Sequence, residues 1–293
     1  MSTSSLWRRI ICLLALPVIT GLLGGCSAIK IGYGAAPEAI YLWLNGYVEI
    51  NDTQSPKVKE DLSRLLQWHR AQELPRYAAL LDEVEQLAMG EIAAPRACVV
   101  AQEVRARIQA VSNQAEPALV TLATSMTPEQ IAHLQRRFER DDATWRKDWL
   151  DAPPARRLDK RVKSWVDRIE SIYGSLDERQ RTLVRQQLTQ SGWDVNLTWA
   201  ERQRRQRDVL QVLREVNAPG TAPIAARRQV RALLDRVQSS PDPAWQRHRD
   251  AMQAEGCALF AALHASTSTA QRESAARRMR AYARDLRELA AAR

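Results

Sequence analysis

Apolar side chains recur at three- and four-residue intervals along nearly all of this 293-residue chain, and no stretch alternates with period two long enough to make a strand. Ile40, Trp43, Leu44, Tyr47 and Val48 form one such stripe, and Leu62, Leu65, Leu66 and His69 form the next. Pro75 is expected to kink or break that second helix, because it lacks a backbone donor and crowds the preceding turn. Tyr77, Leu81, Val84 and Ala88 resume the pattern, and Val100, Val104, Ile108 and Val111 mark another helix. Ile131, Leu134, Phe138, Trp145 and Trp149 mark a longer one, stopped by Pro153-Pro154. Leu158, Val162, Trp165, Val166, Ile169 and Tyr173 follow. Leu183, Leu188, Val209, Leu213 and Val216 then read as one long Arg- and Gln-rich helix, with Gly192 a candidate interruption. Three closing helices are expected over Ile224–Val237, Trp245–Leu263 and Ala270–Leu289. Only 11 Gly and 2 Phe suit a helical bundle better than a sheet. The expected fold is all-α: an elongated multi-helix bundle of about eight or nine helices with short loops. It occupies residues 37–293, with a candidate sub-boundary at 151–155.

The helix starts are legible. In Thr127-Pro128-Glu129-Gln130, Thr stands at N-cap, Pro at N1 and Gln at N3, the letters of a capping box, with Met126 and Ile131 placed as a hydrophobic staple. Leu176-Asp177-Glu178-Arg179-Gln180 repeats the cap and N3 pattern without the staple, and Ile50-Asn51-Asp52-Thr53-Gln54 is a third candidate, with Ser55-Pro56 an equally good start. A tryptophan (Trp68, Trp145 or Trp193) follows each leading apolar residue by 17 to 19 positions, hinting at a duplicated helical unit.

The N-terminus carries an address. Arg8 and Arg9 precede an apolar run from Ile10 to Leu23, and Leu23-Gly24-Gly25-Cys26 places small residues before a cysteine, as a lipobox does. Residues 1–25 are therefore expected to be a cleaved signal, Cys26 the lipidated residue, and residues 26–36 a tether. Several acyl chains on one cysteine make a stable anchor. Ser27 stands where Asp would signal retention in the inner membrane, so the expected location is the outer membrane, facing the periplasm.

Net charge is +9, and it is uneven: residues 201–293 carry 18 Arg, no Lys and 10 acids. Beside a membrane this suits an anionic lipid or acidic protein partner, unless it is a solvated helical surface; in the periplasm nucleic acid is not expected. Cys12 leaves with the signal and Cys26 is lipidated, which leaves Cys98 and Cys257 as a pair in an oxidising compartment. A disulfide between them is expected. The four His are far apart and neither CxxC nor HExxH occurs, so no metal or other cofactor is expected.

Two resemblances add to this reading. Cys26-Ser27, Tyr33, Pro37, Trp43-Leu44, Tyr47-Val48, Trp68-His69-Arg70 and Glu73-Leu74-Pro75-Arg76-Tyr77 resemble a family of Gram-negative lipoproteins known only as a domain of unknown function. That resemblance implies an envelope location and an all-helical body, and assigns no catalytic residues. Met126–Gln130 and Leu176–Gln180 are similar to the L-T-x-x-Q motif of small periplasmic helical chaperones, departing from it at Met126 and Asp177. A capping box explains the same letters.

Reactive constellations are few. His69 continues an apolar stripe, as a buried core histidine or as the centre of a cell-wall or lipid hydrolase. No serine has a nucleophile-elbow context and no glycine loop cradles phosphate. Asp141-Asp142 reads as surface charge making i, i+4 pairs rather than a general acid/base pair, because adjacent helical positions point in different directions. Trp145, Trp149, Trp165, Trp193 and Trp199 pack between helices or line an aromatic groove flanked by arginines for a peptide, glycan or lipid. Tyr33, Tyr41, Trp43 and Tyr47 either pack into the bundle or sit at a bilayer interface. The expected function is a membrane-anchored, non-catalytic envelope protein that binds or scaffolds a partner through a helical surface.

Overall fold

The computed structural model describes residues 28–292. The signal segment, lipobox and Cys26 lie outside the described residues. What is described is all-helical, a helical bundle without strands. The helices are α1 (Ala28–Gly34), α2 (Ala36–Val48), α3 (Ser55–Trp68), α4 (Leu74–Ala88), α5 (Ala94–Ala123), α6 (Pro128–Trp145) and α7 (Pro154–Tyr173). They continue with α8 (Glu178–Thr189), α9 (Val195–Val216), α10 (Pro223–Gln238), α11 (Pro243–Ala265) and α12 (Thr269–Ala291). Two π-helical turns, π1 (His69–Glu73) and π2 (Arg146–Leu150), follow α3 and α6. The helices outnumber the eight or nine expected. Among the additions is α1, formed by residues assigned above to a tether.

The described residues divide into a smaller unit of residues 28–81 and 281–292 and a larger unit of residues 82–280. Both divisions fall inside helices, α4 and α12.

Pro75 does not break its helix. The backbone passes from α3 through π1 into α4, with the Leu74 N–H bonding to the His69 carbonyl five residues back. The wider turn leaves the proline ring room and spares the missing donor. Similarly, π2 precedes Pro153: the Asp151 N–H donates to the Arg146 carbonyl at 2.8 Å. In both places the order is reciprocal cap, helix, tryptophan, π turn, proline.

Those caps are geometrically complete. The Gln130 N–H donates to Thr127 Oγ1 (3.3 Å) while the Thr127 N–H donates to Gln130 Oε1 (2.9 Å). Asp177 and Gln180 exchange the same two bonds at 2.8 and 3.0 Å, and Asn51 and Gln54 at 3.0 and 3.2 Å. Ser268 and Gln271 make a fourth box, at 3.2 and 3.0 Å, that sequence reading missed. Gln180 also donates to the Ser266 carbonyl (3.1 Å) and pairs with the Gln271 amide (2.9 Å), tying the starts of α8 and α12 together.

The stretch read as one long helix over 183–216 is two. Asp194 caps α9 by accepting from the N–H groups of Asn196 (2.7 Å) and Leu197 (3.2 Å). Gly192 donates its N–H to Glu255 Oε1, and a Cβ there would stand only 3.3 Å from that oxygen.

In the larger unit the α7 stripe is core: Val162, Val166, Ile169 and Tyr173 pack with Val184, Leu188, Leu259, Leu263 and Ala275. Helix α5 packs on α10 and α11, and α9 on α6 and α10. The α5 stripe, however, does not all turn inward, because Val104 and Ile108 are exposed. Buried Glu201 gathers Arg204, Arg205 and the Ser240 hydroxyl, at 2.7, 2.6 and 2.9 Å. Burial disfavours its charge, but these donors outweigh burial and hold its carboxyl below the ordinary range.

Candidate functional site

Residues of α4, α5, α7, α11 and α12 in the larger unit line an open cavity of about 550 Å³. Each side of it descends from a sequence pattern. Val84 and Leu87 come from the end of α4 and Val100 from α5; Trp165, Ile172 and Tyr173 come from α7; Met252, Phe260 and Met279 close it from α11 and α12. Its size falls within the range of small-molecule sites, about 300–1,000 Å³, and its wall is mostly aliphatic and aromatic. The charged residues among those lining it are Arg105 and Arg249. Arg249 pairs with Asp250 at 2.9 Å, whereas Arg105 has no ion pair among the described residues. A cavity so built suits a long apolar group carrying an anionic end.

Cys257 is on the wall, and it is joined to Cys98 by a disulfide, with the Cα atoms 5.4 Å apart. The bond links α5 to α11, two helices that form the cavity.

The Tyr173 hydroxyl and its partner His264 are committed to structure. His264, 1 % exposed, has its Nε2 2.8 Å from the Gly90 carbonyl and its Nδ1 2.7 Å from the Tyr173 hydroxyl. A carbonyl only accepts, so Nε2 carries the proton and Nδ1 accepts from Tyr173. Burial, aided by the Arg272 charge, pushes the imidazole below its ordinary value despite the bond to Gly90. Burial likewise pushes the Tyr173 phenol up to about 12. The pair is a neutral, satisfied lock with no free lone pair for base catalysis.

The five tryptophans separate. Trp145 stacks on Trp199 with centroids 5.3 Å apart, and Trp149 meets Trp193 edge-on at 5.6 Å. Cations cover these rings: Arg146 lies over Trp199, Lys160 over Trp149 and Arg161 over Trp193, at 5.7, 5.5 and 4.9 Å. The arginines expected to flank a groove thus lie on the indole faces themselves. Trp165 is elsewhere, on the wall of the apolar cavity.

In the smaller unit His69 sits half-buried on π1, its Nδ1 3.0 Å from the Tyr33 hydroxyl. Its ring lies between those of Tyr33 and Tyr77, at centroid distances of 5.8 and 5.6 Å. Burial lowers its affinity for a proton, opposed by Glu73. His69 lines neither the apolar cavity nor a second, polar one of about 570 Å³ between α6 and α9. In that second cavity Asp142, read above as surface charge, accepts from Arg202 (2.5 Å), from Gln206 (2.8 Å) and from Gln203.

Among the described residues no cluster of three His, Cys, Asp or Glu could hold a metal ion, and no helix is long and apolar enough to cross a membrane. Sequence reading missed the cavity as a site. Its periodic residues were visible, but not that Arg105, Arg249, Met252 and Met279 would meet around one space.

A family model described as a family of unknown function (DUF6279) matches residues 46–239. That span includes Trp68–Tyr77 and both tryptophan pairs. No curated protein and no solved structure matches the chain.

Proposed function

The chain belongs to this family of unknown function, and we propose that it is a lipid-anchored, non-catalytic envelope protein that binds a single-chain anionic amphiphile in the cavity of its larger unit. The carrying observation is the cavity itself, apolar along its wall with two arginines among the residues that line it. An acyl chain would cover the wall, gaining about 0.8 kcal/mol per CH₂ removed from water, while a carboxylate or phosphate head meets Arg105 and Arg249. The non-catalytic reading is supported by the committed state of Tyr173 and His264, the titratable pair beside the wall. The anchor is supported by the order Arg8-Arg9, apolar run, Leu23-Gly24-Gly25-Cys26, and the outer membrane facing the periplasm by Ser27. The L-T-x-x-Q-like letters act as reciprocal caps with buried glutamines, so they lend no weight to a chaperone role.

The test is displacement of a fluorescent fatty acid from the mature protein by palmitate. Saturable one-to-one binding is expected, at least tenfold weaker for hexadecanol, which lacks the charge. Ala101 on α5 also lines the cavity, and Ala101→Trp, which adds an indole there, is expected to abolish binding. Non-saturable uptake, or binding indifferent to Ala101→Trp, overturns the proposal. Palmitate labelling in cells, lost in Cys26→Ala, tests the anchor separately.

A further inference from the structure

The apolar residues of α2 are not all core. Val48 is buried and Leu44 half-buried, and the Tyr41 hydroxyl lies 2.9 Å from Ser55 Oγ. The opposite arc faces solvent, with Leu42 59 %, Trp43 49 % and Ile40 37 % exposed. At about 100° per residue, Leu42, Gly46, Ala39, Trp43, Tyr47 and Ile40 sweep roughly 160° of the helix surface. That arc carries no charge. On α1, Ile31 is a further 58 % exposed, while Lys30 is turned into ion pairs with Asp285 and Glu288. From Ile31 to Val48 the one charged residue is Glu38, in the first turn of α2.

Contiguous exposed apolar surface of this kind marks an interaction site. The neighbouring sequence says with what. Ser27 alone separates Cys26 from α1. Seven helical residues add about 10 Å, so α2 begins within about 20 Å of the lipid-bearing sulfur. Trp43 and Tyr47, with centroids 5.0 Å apart, are of the types favoured at the headgroup level. We infer that the exposed apolar face of α2, centred on Ile40, Leu42 and Trp43, rests on the bilayer surface beside the acylated Cys26, a second membrane contact that adds to the lipid. The inference takes the anchor from the reading above and is independent of the cavity.

The test separates the two. The full mature chain carrying Cys26→Ser, and so without acyl groups, is mixed with phosphatidylethanolamine/phosphatidylglycerol vesicles and floated. Measurable partition is expected, falling at least tenfold in the double variant Leu42→Asp/Trp43→Ser. Circular dichroism and the urea midpoint stay unchanged in that variant, because both side chains are exposed. Equal flotation of parent and double variant, or no flotation of the parent, overturns the inference. A dimer in vesicle-free solution that Leu42→Asp dissociates also overturns it, since the face would then meet a second copy. Failure of palmitate labelling with face-dependent flotation intact would remove the anchor and leave the bilayer contact standing.

Discussion

Replacing both cysteines of the Cys98–Cys257 bond by alanine tests how the larger unit is held together. The bond closes a loop of 159 residues, most of the 82–280 unit. In the chain-entropy model a loop of that length restrains the unfolded chain by about 5 kcal/mol. With a urea slope of about 2.5 kcal/mol per molar, the midpoint should fall by about 2 M. The assay is urea unfolding followed by far-ultraviolet circular dichroism, on the oxidised parent, the reduced parent and the Cys98→Ala/Cys257→Ala double variant. The reduced parent and the double variant should fall together, which separates the lost cross-link from the lost sulfur packing at buried Cys257. A fall below about 1 kcal/mol in both would refute the reasoning, because the cross-link would then restrain little of the unfolded ensemble.

Acidification gives a second prediction. His264 is held below the ordinary imidazole value, first by burial, and unfolding restores a value of about 6.5. As pH falls through 6.5 the unfolded chain takes up a proton that the folded chain refuses, so stability declines from there downward. His69 is shifted in the same direction. The urea midpoint should drop as pH falls below about 6.5, with a shallower slope in His264→Gln; an unchanged slope would contradict the lock. Glu201→Gln should cost about 2 kcal/mol in urea unfolding, since it weakens charge-assisted bonds to Arg204 and Arg205 on a side chain 4 % exposed. Gln180→Ala should cost about 1–2 kcal/mol, more than Gln54→Ala, because Gln180 also bridges to Ser266 and Gln271.

Much of the fold was legible because helix periodicity and caps are local. The Val162–Tyr173 stripe became core, and Thr127 and Asp177 cap as their letters imply. Local reading failed where the chain answers to something nearby in space. Pro75 looks like a break, yet a single wide turn before it carries the helix through, and that choice leaves no mark in the letters; Pro153-Pro154 does stop its helix, and α7 starts at Pro154. Val104 and Ile108 have core spacing on α5 but remain exposed, because periodicity locates a stripe without saying what covers it. Asp142 looked like solvated charge until Arg202, Gln203 and Gln206 arrived from α9. The cavity was the least legible feature. Five helices share its wall, and no spacing within any one of them encodes the gap between them.

Native mass spectrometry of the protein released gently from envelopes bears most directly on the ligand-binding claim. One non-covalent acyl amphiphile per chain is predicted, shed on collisional activation and absent from Ala101→Trp. A bare chain that also fails to take up added palmitate would contradict it.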